Sequence, residues 1–178
     1  MLDGQIVSAI ITEIRTQLEW YGIASGDLRI SRSNQPTVQY QGATTNAEKY
    51  QVFITPVTNV AIGRSRQYNA TLDFTHVKQK SYQISALVDF EPSDLNDIPA
   101  HDLAQIINDT LQQTDALKNL RDAGVFLHEC QPVRPVFVVN GSNEYESEPS
   151  FDVVVSYNAV YSKPYDIIED VQGTVDTV

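Results

Sequence analysis

The most regular pattern of apolar and polar residues in the chain lies between Lys80 and Phe90. Apolar side chains occupy every second position there and mostly polar ones stand between them, which is the period of a strand with one buried face. Glu91-Pro92 then ends the strand, because proline lacks the amide hydrogen that a strand donates. The pattern predicts a half-buried strand with its apolar face formed by Tyr82, Ile84, Ala86, Val88 and Phe90.

Two segments show the three- and four-residue spacing of amphipathic helices. The first covers residues 3–21, with Gly22 just past its end, and an apolar stripe this dense is expected to cover a sheet or a neighbouring subunit. The second covers residues 99–119, with Asp97 as its expected N-cap and Gly124 closing the unit. The two stripes consist of Ile6, Val7, Ile10, Ile11, Ile14 and Leu18, and of Leu103, Ile106, Ile107 and Leu111.

Residues 57–80 predict a long β-hairpin that projects beyond the main sheet. A strand that begins at Tyr50 reaches Pro56, which indicates an edge position or a bulge there. Residues 57–63 and 71–78 have strand-like composition, and residues 64–70 between them are polar. The second arm of the hairpin continues into the alternating strand over residues 80–90.

The remaining segments predict shorter elements. Residues 23–47 are polar and broken, with a short strand at 37–41, and strands are expected at 125–130, 133–139 and 151–161. Asn140-Gly141 indicates a turn, and Glu144, Glu146 and Glu148 are expected in the loop that follows. The predicted fold class is α+β, with a mainly antiparallel β-sheet, two packed α-helices and the projecting hairpin. Residues 1–165 are expected to form a single domain, and residues 166–178 an acidic, flexible C-terminal tail.

Charge is distributed unevenly along the chain. The 178 residues contain 12 basic and 23 acidic side chains, and residues 92–178 alone contain fifteen acidic and four basic ones. Because phosphate affinity comes largely from Lys and Arg, a broad DNA-binding face is not expected. Cys130 is the only cysteine and is expected to be a small buried side chain. With neither a membrane span nor a signal peptide in the sequence, synthesis and assembly in a cytoplasm are expected.

No catalytic constellation is recognisable. His76, His101 and His128 lie in three different predicted elements, and there is no paired Cys/His pattern, glycine-rich phosphate loop or nucleophile elbow. Asp94 and Asp102 lie with Asp97 around the start of the second helix, where capping and dipole compensation explain them. The sequence therefore predicts a protein that is not an enzyme and that needs no metal or cofactor.

Basic and aromatic residues flank the predicted hairpin. They are Arg64, Arg66, Tyr68, Phe74, Lys78 and Lys80. Three interpretations are open: contact with nucleic acid, a solvated ribbon whose charges discourage edge pairing, or a head-to-tail contact with the acidic second half of another copy. The third interpretation makes these six residues the candidate subunit interface.

The order of elements resembles the tail terminator proteins of tailed bacteriophages. The segments that carry the resemblance are SYQISALVDFEPSD, PAHDLAQIINDTLQ and LRDAGV, within residues 1–165. The resemblance implies a structural virion protein of the tail or neck, assembled in the host cytoplasm as a homo-oligomeric ring, usually a hexamer. Such a ring caps the head-proximal end of the tail tube and provides the surface to which the filled head joins.

The implied partners follow from that position. They are the tail tube protein, the head-closure or connector proteins and, in a contractile tail, the sheath, while DNA passes through the lumen without specific binding and no membrane is involved. Two alternatives stay open at this point: another head–tail connector component, such as a head-closure, adaptor or tube protein, and a non-viral binding domain.

Overall fold

A five-stranded sheet organises the chain, with strand order β1-β2-β3-β7-β4. The computed structural model describes residues 3–32, 49–68, 71–89, 97–139 and 145–164. Within them the elements are α1 (Asp3–Trp20), β1 (Leu28–Arg32), β2 (Tyr50–Tyr68), β3 (Thr71–Val88), α2 (Ala100–Leu111), α3 (Thr114–Asp122), β4 (Val125–Cys130), β5 (Phe137–Val139), β6 (Tyr145–Ser147) and β7 (Ser150–Pro164). The first two strands pair in parallel, and every other pairing in the sheet is antiparallel. The predicted α+β class with a mainly antiparallel sheet is confirmed.

The core lies between one face of the sheet and the helices. Even-numbered residues of β3 form this face, as the alternation predicted, and β7 supplies the same face opposite them. The apolar stripes of α1 and α2 belong to the same cluster of buried side chains. Its largest fully buried members are Tyr82, Phe151, Ile6, Ile10, Ile14, Leu18, Ile54, Ile84, Leu103, Ile107, Leu111 and Leu120.

The prediction of one continuous helix over residues 99–119 is wrong. The chain leaves the helix after Leu111, passes through extended backbone at Gln113 (φ −69°, ψ 151°) and begins α3 at Thr114. A continuous helix would carry the buried stripe from Leu111 onto the polar residues at 114 and 115. The break changes the rotational phase, so that Ala116 and Leu120 are buried instead. The described residues therefore contain three helices, where two were predicted.

Asp97 does not cap α2, contrary to the sequence-based prediction. Pro99 occupies the N-cap position without a side-chain cap bond. The Asp97 side chain is fully buried, and its Oδ1 lies 3.0 Å from Lys49 Nζ and accepts a long 3.5 Å hydrogen bond from the Tyr50 hydroxyl. A buried carboxylate needs such partners, because burial without them is costly. Burial also raises the pKa of Tyr50, an effect that the nearby Lys49 opposes.

Several short elements differ from the sequence-based expectation. Strand β1 was not predicted, because five residues with two arginines among them give little alternation. The strand predicted over 133–139 is shorter, since Arg134 makes only an isolated bridge to Ser150 before β5 begins. Glu146, expected in a loop, belongs to β6. The predicted strand at 37–41 and the turn at 140–141 lie outside the described residues, as does the tail from residue 165.

Two glycines close helical units as the sequence indicated. Gly22 follows α1 with φ 87°, and Gly124 follows α3 with φ 80°. Both angles lie in the left-handed region, where a Cβ atom is penalised and glycine is not. The amide of Gly124 also donates to the carbonyl of Arg121 at 2.8 Å, which turns the chain directly into β4.

Candidate assembly surface

Three strands continue past the point where their neighbours end. Pairing of β1 with β2 stops at Ile54, and pairing of β4 with β7 stops at Tyr157, whereas the ladder of β2, β3 and β7 runs on to Tyr68, Thr71 and Pro164. We call residues 57–68, 71–80 and 157–164 the blade. The hairpin predicted over 57–80 thus belongs to a longer hairpin with β7 paired along its second arm. Its projection from the body stays a prediction.

One face of the blade is aliphatic and open to solvent. Val60 lies opposite Gln79, Val77 opposite Gly63 and Asn158, and Val160 opposite Thr75, so the three valines form a diagonal row across β2, β3 and β7. Diagonal neighbours in a sheet lie roughly 7–8 Å apart. Val60 and Val160 are 54 % and 56 % exposed, and Val57 and Ile62 on β2 are exposed to a similar degree. We call Val57, Val60, Ile62, Val77 and Val160 the aliphatic patch.

The sequence alone did not identify this patch. Val60 and Ile62 stand in a strand-like segment with two-residue spacing, and such residues are usually core. Burial depends on which face of the sheet a residue occupies, and Val60, Val77 and Val160 are in phase with the odd-numbered residues of β3, on the face away from the helices.

The outer edge of β2 is poorly suited to accepting another strand. Pro56 offers no amide hydrogen, and register shifts place bulges between Pro56 and Thr58 and between Ala61 and Gly63. The bulge at Pro56 confirms the prediction made from that proline. Bulges and proline are standard protection against edge-to-edge pairing. A partner of the blade is therefore expected to pack on its face and not to extend its sheet.

The six residues of the predicted subunit interface all lie in the hairpin. Arg64 pairs in register with His76, Arg66 with Phe74, and Tyr68 with Leu72. Lys78 and Lys80 lie opposite Ala61 and Asn59, in phase with the helix-facing positions of β3. The Lys78 side chain is half-buried.

Lys80 is already engaged within the subunit. Its side chain is 4 % exposed, and Nζ lies 6.0 Å from the centre of the Tyr82 ring, a cation–π distance. Its contribution to a subunit interface stays a prediction, as does that of the other five residues.

Acidic side chains occupy the outer surface of α2. Asp102 and Asp109 are exposed seven residues apart, two helical turns along one side, and α2 contains no Lys or Arg. Gln105 stands between them and donates from Nε2 to Asp109 Oδ1 at 2.9 Å. On α3 the exposed Asp115 and Asp122 are balanced by Lys118 and Arg121. The negative charge of the second half is thus displayed most clearly on α2.

A groove of about 730 Å³ runs between α1 and α3. Its buried carboxylate, Glu13, accepts hydrogen bonds from Gln17 Nε2 at 2.8 Å and from Asn119 Nδ2 at 3.4 Å. These bonds join the two helices. The groove is lined by Gly4, Gln5, Ser8, Ala9, Thr12, Glu13, Thr16, Asn119 and Ala123.

The three histidines remain apart in the folded chain. His76 lies in β3, His101 in α2 and His128 in β4, where its Nε2 is 2.7 Å from Ser156 Oγ. Among the described residues there is no cluster of three potential metal ligands. None of the described helices combines the length and hydropathy that crossing a membrane requires.

Cys130 is expected to react slowly with thiol reagents. Burial, and after it the charge of Glu129, raise its pKa from 9.0 to about 12. Since only the thiolate is nucleophilic, three pKa units reduce the reactive fraction roughly 10³-fold below pH 9. Iodoacetamide labelling at pH 8.5, followed by mass spectrometry, should be far slower in the native chain than in urea. Equal rates in the two states would contradict the assigned burial.

The model of the family described as E217 gateway protein gp29 matches residues 5–167. The match includes α1 from Gln5 onward and the whole five-stranded sheet with its blade. No curated protein sequence matches the chain. Because the family match spans most of the 178 residues, the chain belongs to the E217 gateway protein gp29 family, a family of structural phage proteins of the head–tail gateway.

Proposed function

We propose that this chain is the subunit of a closed ring of six copies at the head-proximal end of the phage tail. The ring surrounds the DNA path, ends the growth of the tail tube and forms the surface to which the filled head joins. The observation that carries the proposal is the blade, which displays an uncovered aliphatic patch and concentrates basic residues in a chain whose second half is acidic. Membership of a gateway family supports a place at the head–tail junction.

A closed ring of identical subunits needs two different, complementary surfaces on each copy. The hairpin contains the basic residues Arg64, Arg66 and Lys78, and α2 displays the exposed acidic residues Asp102 and Asp109. Opposite charge on the two surfaces favours head-to-tail contact over the symmetric pairing of like patches. This charge contrast supports a ring in which the blade of one copy lies against the second half of the next.

The acidic character of the second half also suits a passage for DNA. Fifteen acidic and four basic side chains follow residue 91, and a negatively charged lumen or rim repels the phosphate backbone. DNA would then slide through without being retained. In this role the protein uses no cofactor and performs no reaction.

The ring would have partners on both sides. We place the tail tube protein on one side, the head-closure or connector proteins on the other, and the sheath beside it if the tail is contractile. The subunit is a single domain over residues 1–165, assembled in the host cytoplasm and retained in the virion. A second candidate, a head-closure or adaptor ring, is favoured by the gateway description of the family.

Native mass and electron microscopy test the ring directly. The purified chain is expected to form a discrete assembly of six subunits, with a central opening in negatively stained images. A chain that stays monomeric at tens of micromolar concentration, alone and with tail tubes, would overturn the ring.

Reversing the charge of Arg64 and Arg66 is expected to weaken the ring. Both arginines become glutamate, which places like charges opposite the acidic second half of the next copy. The apparent dissociation constant should rise at least about tenfold, equivalent to about 1.4 kcal/mol. Native mass as a function of protein concentration measures the change, and circular dichroism checks the fold.

A matched control uses two exposed basic residues outside the blade. Lys118 and Arg121 on α3, changed together to glutamate, alter the net charge by the same amount. This variant should assemble as the wild-type chain does at moderate salt. Equal weakening in both variants would assign the effect to net charge and count against a specific role of the hairpin.

A further inference from the structure

Ten neighbouring residues on the side of the sheet away from the helices are all uncharged. The register places them side by side on three strands, from the level of Ser81 to the level of Val160. We call them the uncharged face, and depletion of charged residues is typical of the core of protein interfaces. They are Thr58, Val60 and Gly63 of β2, Val77, Gln79 and Ser81 of β3, and Val154, Ser156, Asn158 and Val160 of β7.

Nearer the body, the same side of the sheet is covered by the chain that follows β4. The Ser85 hydroxyl donates to Glu148 Oε1 at 2.8 Å, and Arg134 Nη2 donates to Asp152 Oδ2 at 2.9 Å. The uncharged face lies beyond this cover, and its members Val60 and Val160 are more than half exposed.

The hydroxyl groups of the uncharged face already have hydrogen-bond partners. Thr58 Oγ1 donates to Ser81 Oγ at 3.0 Å, and Ser156 Oγ lies 2.7 Å from Nε2 of His128 in β4. Burying a hydroxyl group that has a partner costs much less free energy than burying one that has none. Covering this face would therefore remove the valines from water with little loss of hydrogen bonding.

The apolar side chains of this face are arranged with two-fold symmetry. Val60, Val77 and Val160 form a straight diagonal row with Val77 at its centre. Phe126 of β4, which is 41 % exposed, lies on the same side of the sheet, opposite Ser156. With strands about 4.8 Å apart and about 3.3 Å per residue, the line from Val77 to Phe126 crosses the row at roughly 90°. A half-turn about that line exchanges the positions of Val60 and Val160 and leaves those of Val77 and Phe126 unchanged.

We propose that two copies of this chain pair through the uncharged face, about a two-fold axis along the line from Val77 to Phe126. Val77 and Phe126 each face the same residue of the second copy, and Val60 faces Val160 of that copy. The strands of the two sheets cross at roughly 70°, close to the orthogonal class of sheet packing. The contact is isologous, because each copy contributes the same residues to it.

Charge and symmetry together favour a second copy as the partner. The net charge of the chain is −11, so two copies repel each other wherever their acidic surfaces approach. The exposed Asp102 and Asp109 belong to α2, which packs on the opposite side of the sheet. Because a helix is about 10 Å thick and packed sheets lie about 10 Å apart, pairing keeps these carboxylates of the two copies roughly 30 Å apart, several Debye lengths. A different protein would give no reason for the apolar side chains to match under a half-turn.

The contact is small, so the pair is expected to be weak and reversible. The face extends roughly 20 Å along the strands and, with β4, roughly 19 Å across them. Two copies then bury on the order of 900 Å², less than the about 1,200–2,000 Å² of stable complexes. Pairing is also independent of the ring, because the positions of Arg64 and Arg66 are in phase with the helix-facing side of the sheet.

An aspartate in the uncharged face tests whether the pair forms. Val160 is more than half exposed, so Val160→Asp should keep the fold while placing a carboxylate against Val60 of the second copy. The dissociation constant of the pair, measured by sedimentation velocity over a dilution series, should rise at least about tenfold. The control Ser8→Asp adds the same charge at an exposed position of α1 and should match wild type. Identical sedimentation of Val160→Asp and wild type at every concentration would overturn the pairing.

Crosslinking between single cysteines tests the axis. In a Cys130→Ser background, a short bismaleimide should join Val77→Cys chains to one another. Val60→Cys and Val160→Cys chains should be joined several times more efficiently in an equal mixture than either chain is alone. Ser8→Cys chains should stay single. Failure of Val77→Cys chains to join, more efficient joining of Val60→Cys chains to themselves, or equal joining of Ser8→Cys chains would contradict the proposed pair, whether or not the ring forms.

Discussion

Replacing Phe151 by alanine is expected to lower the free energy of unfolding by about 3–5 kcal/mol. Phe151 is fully buried in β7, opposite Ile84 of β3, where sheet and helices meet. Truncation to alanine removes the contacts of the phenyl group of Phe151 and leaves a cavity that the surrounding side chains fill only in part. Urea unfolding followed by circular dichroism measures the loss. For a domain of this size, such a loss is a large part of the total stability.

The matched control lies nine residues further along the same strand. Val160 belongs to the blade and is more than half exposed, so its replacement by alanine should change the free energy of unfolding by only about 0.5 kcal/mol. The two variants together separate the body of the sheet from the blade. A similar cost at both positions would show that the blade is covered in the isolated subunit more firmly than the free face indicates.

Depletion of the protein during phage assembly is expected to abolish the joining of heads to tails. If the chain ends tail growth, its loss should leave filled heads beside unattached tails of abnormal length, because nothing then stops polymerisation of the tube. The yield of infectious phage should fall to the level that the protein left after depletion supports. Wild-type chain expressed from a plasmid should restore the yield. Electron microscopy of the lysate provides the length distribution.

Tail length distinguishes the two candidate functions. Unattached tails of normal length would assign the chain to the head-closure or adaptor side of the gateway. Virions that form normally without the protein would contradict both functions. The Arg64→Glu/Arg66→Glu chain provides an intermediate test, since it should complement poorly while the Lys118→Glu/Arg121→Glu chain complements fully.

The sequence predicted most of the body of the fold. Alternation over residues 80–90 identified the helix-facing side of β3, and the stripe from Ile6 to Leu18 identified α1, because a periodic pattern reports directly which side of an element is buried. Glycines at 22 and 124 marked the ends of helical units for a similar local reason. The bulge at Pro56 followed from the missing amide hydrogen of proline.

The features that the sequence predicted wrongly, or did not predict, depend on partners that are distant in sequence. Asp97 has the local appearance of a helix cap, yet its carboxylate is bound by Lys49, which folding brings from the beginning of β2. Likewise β1 exists because β2 offers it a parallel neighbour, and five residues alone do not indicate that. The sequence indicated the break between α2 and α3 only in part, through the polar residues at 114 and 115.

For the candidate assembly surface, the order of residues sets the chemistry, whereas the packing of the layers sets the exposure. Charge, the aromatic and basic residues of the hairpin and the family membership all follow from the order of residues. The aliphatic residues of β2 have the same periodicity as buried ones, so no local pattern could show that they face solvent. The register places Val60, with Val77 and Val160, on the face of the sheet opposite to the helices, and which face the helices cover is settled only when the layers pack together.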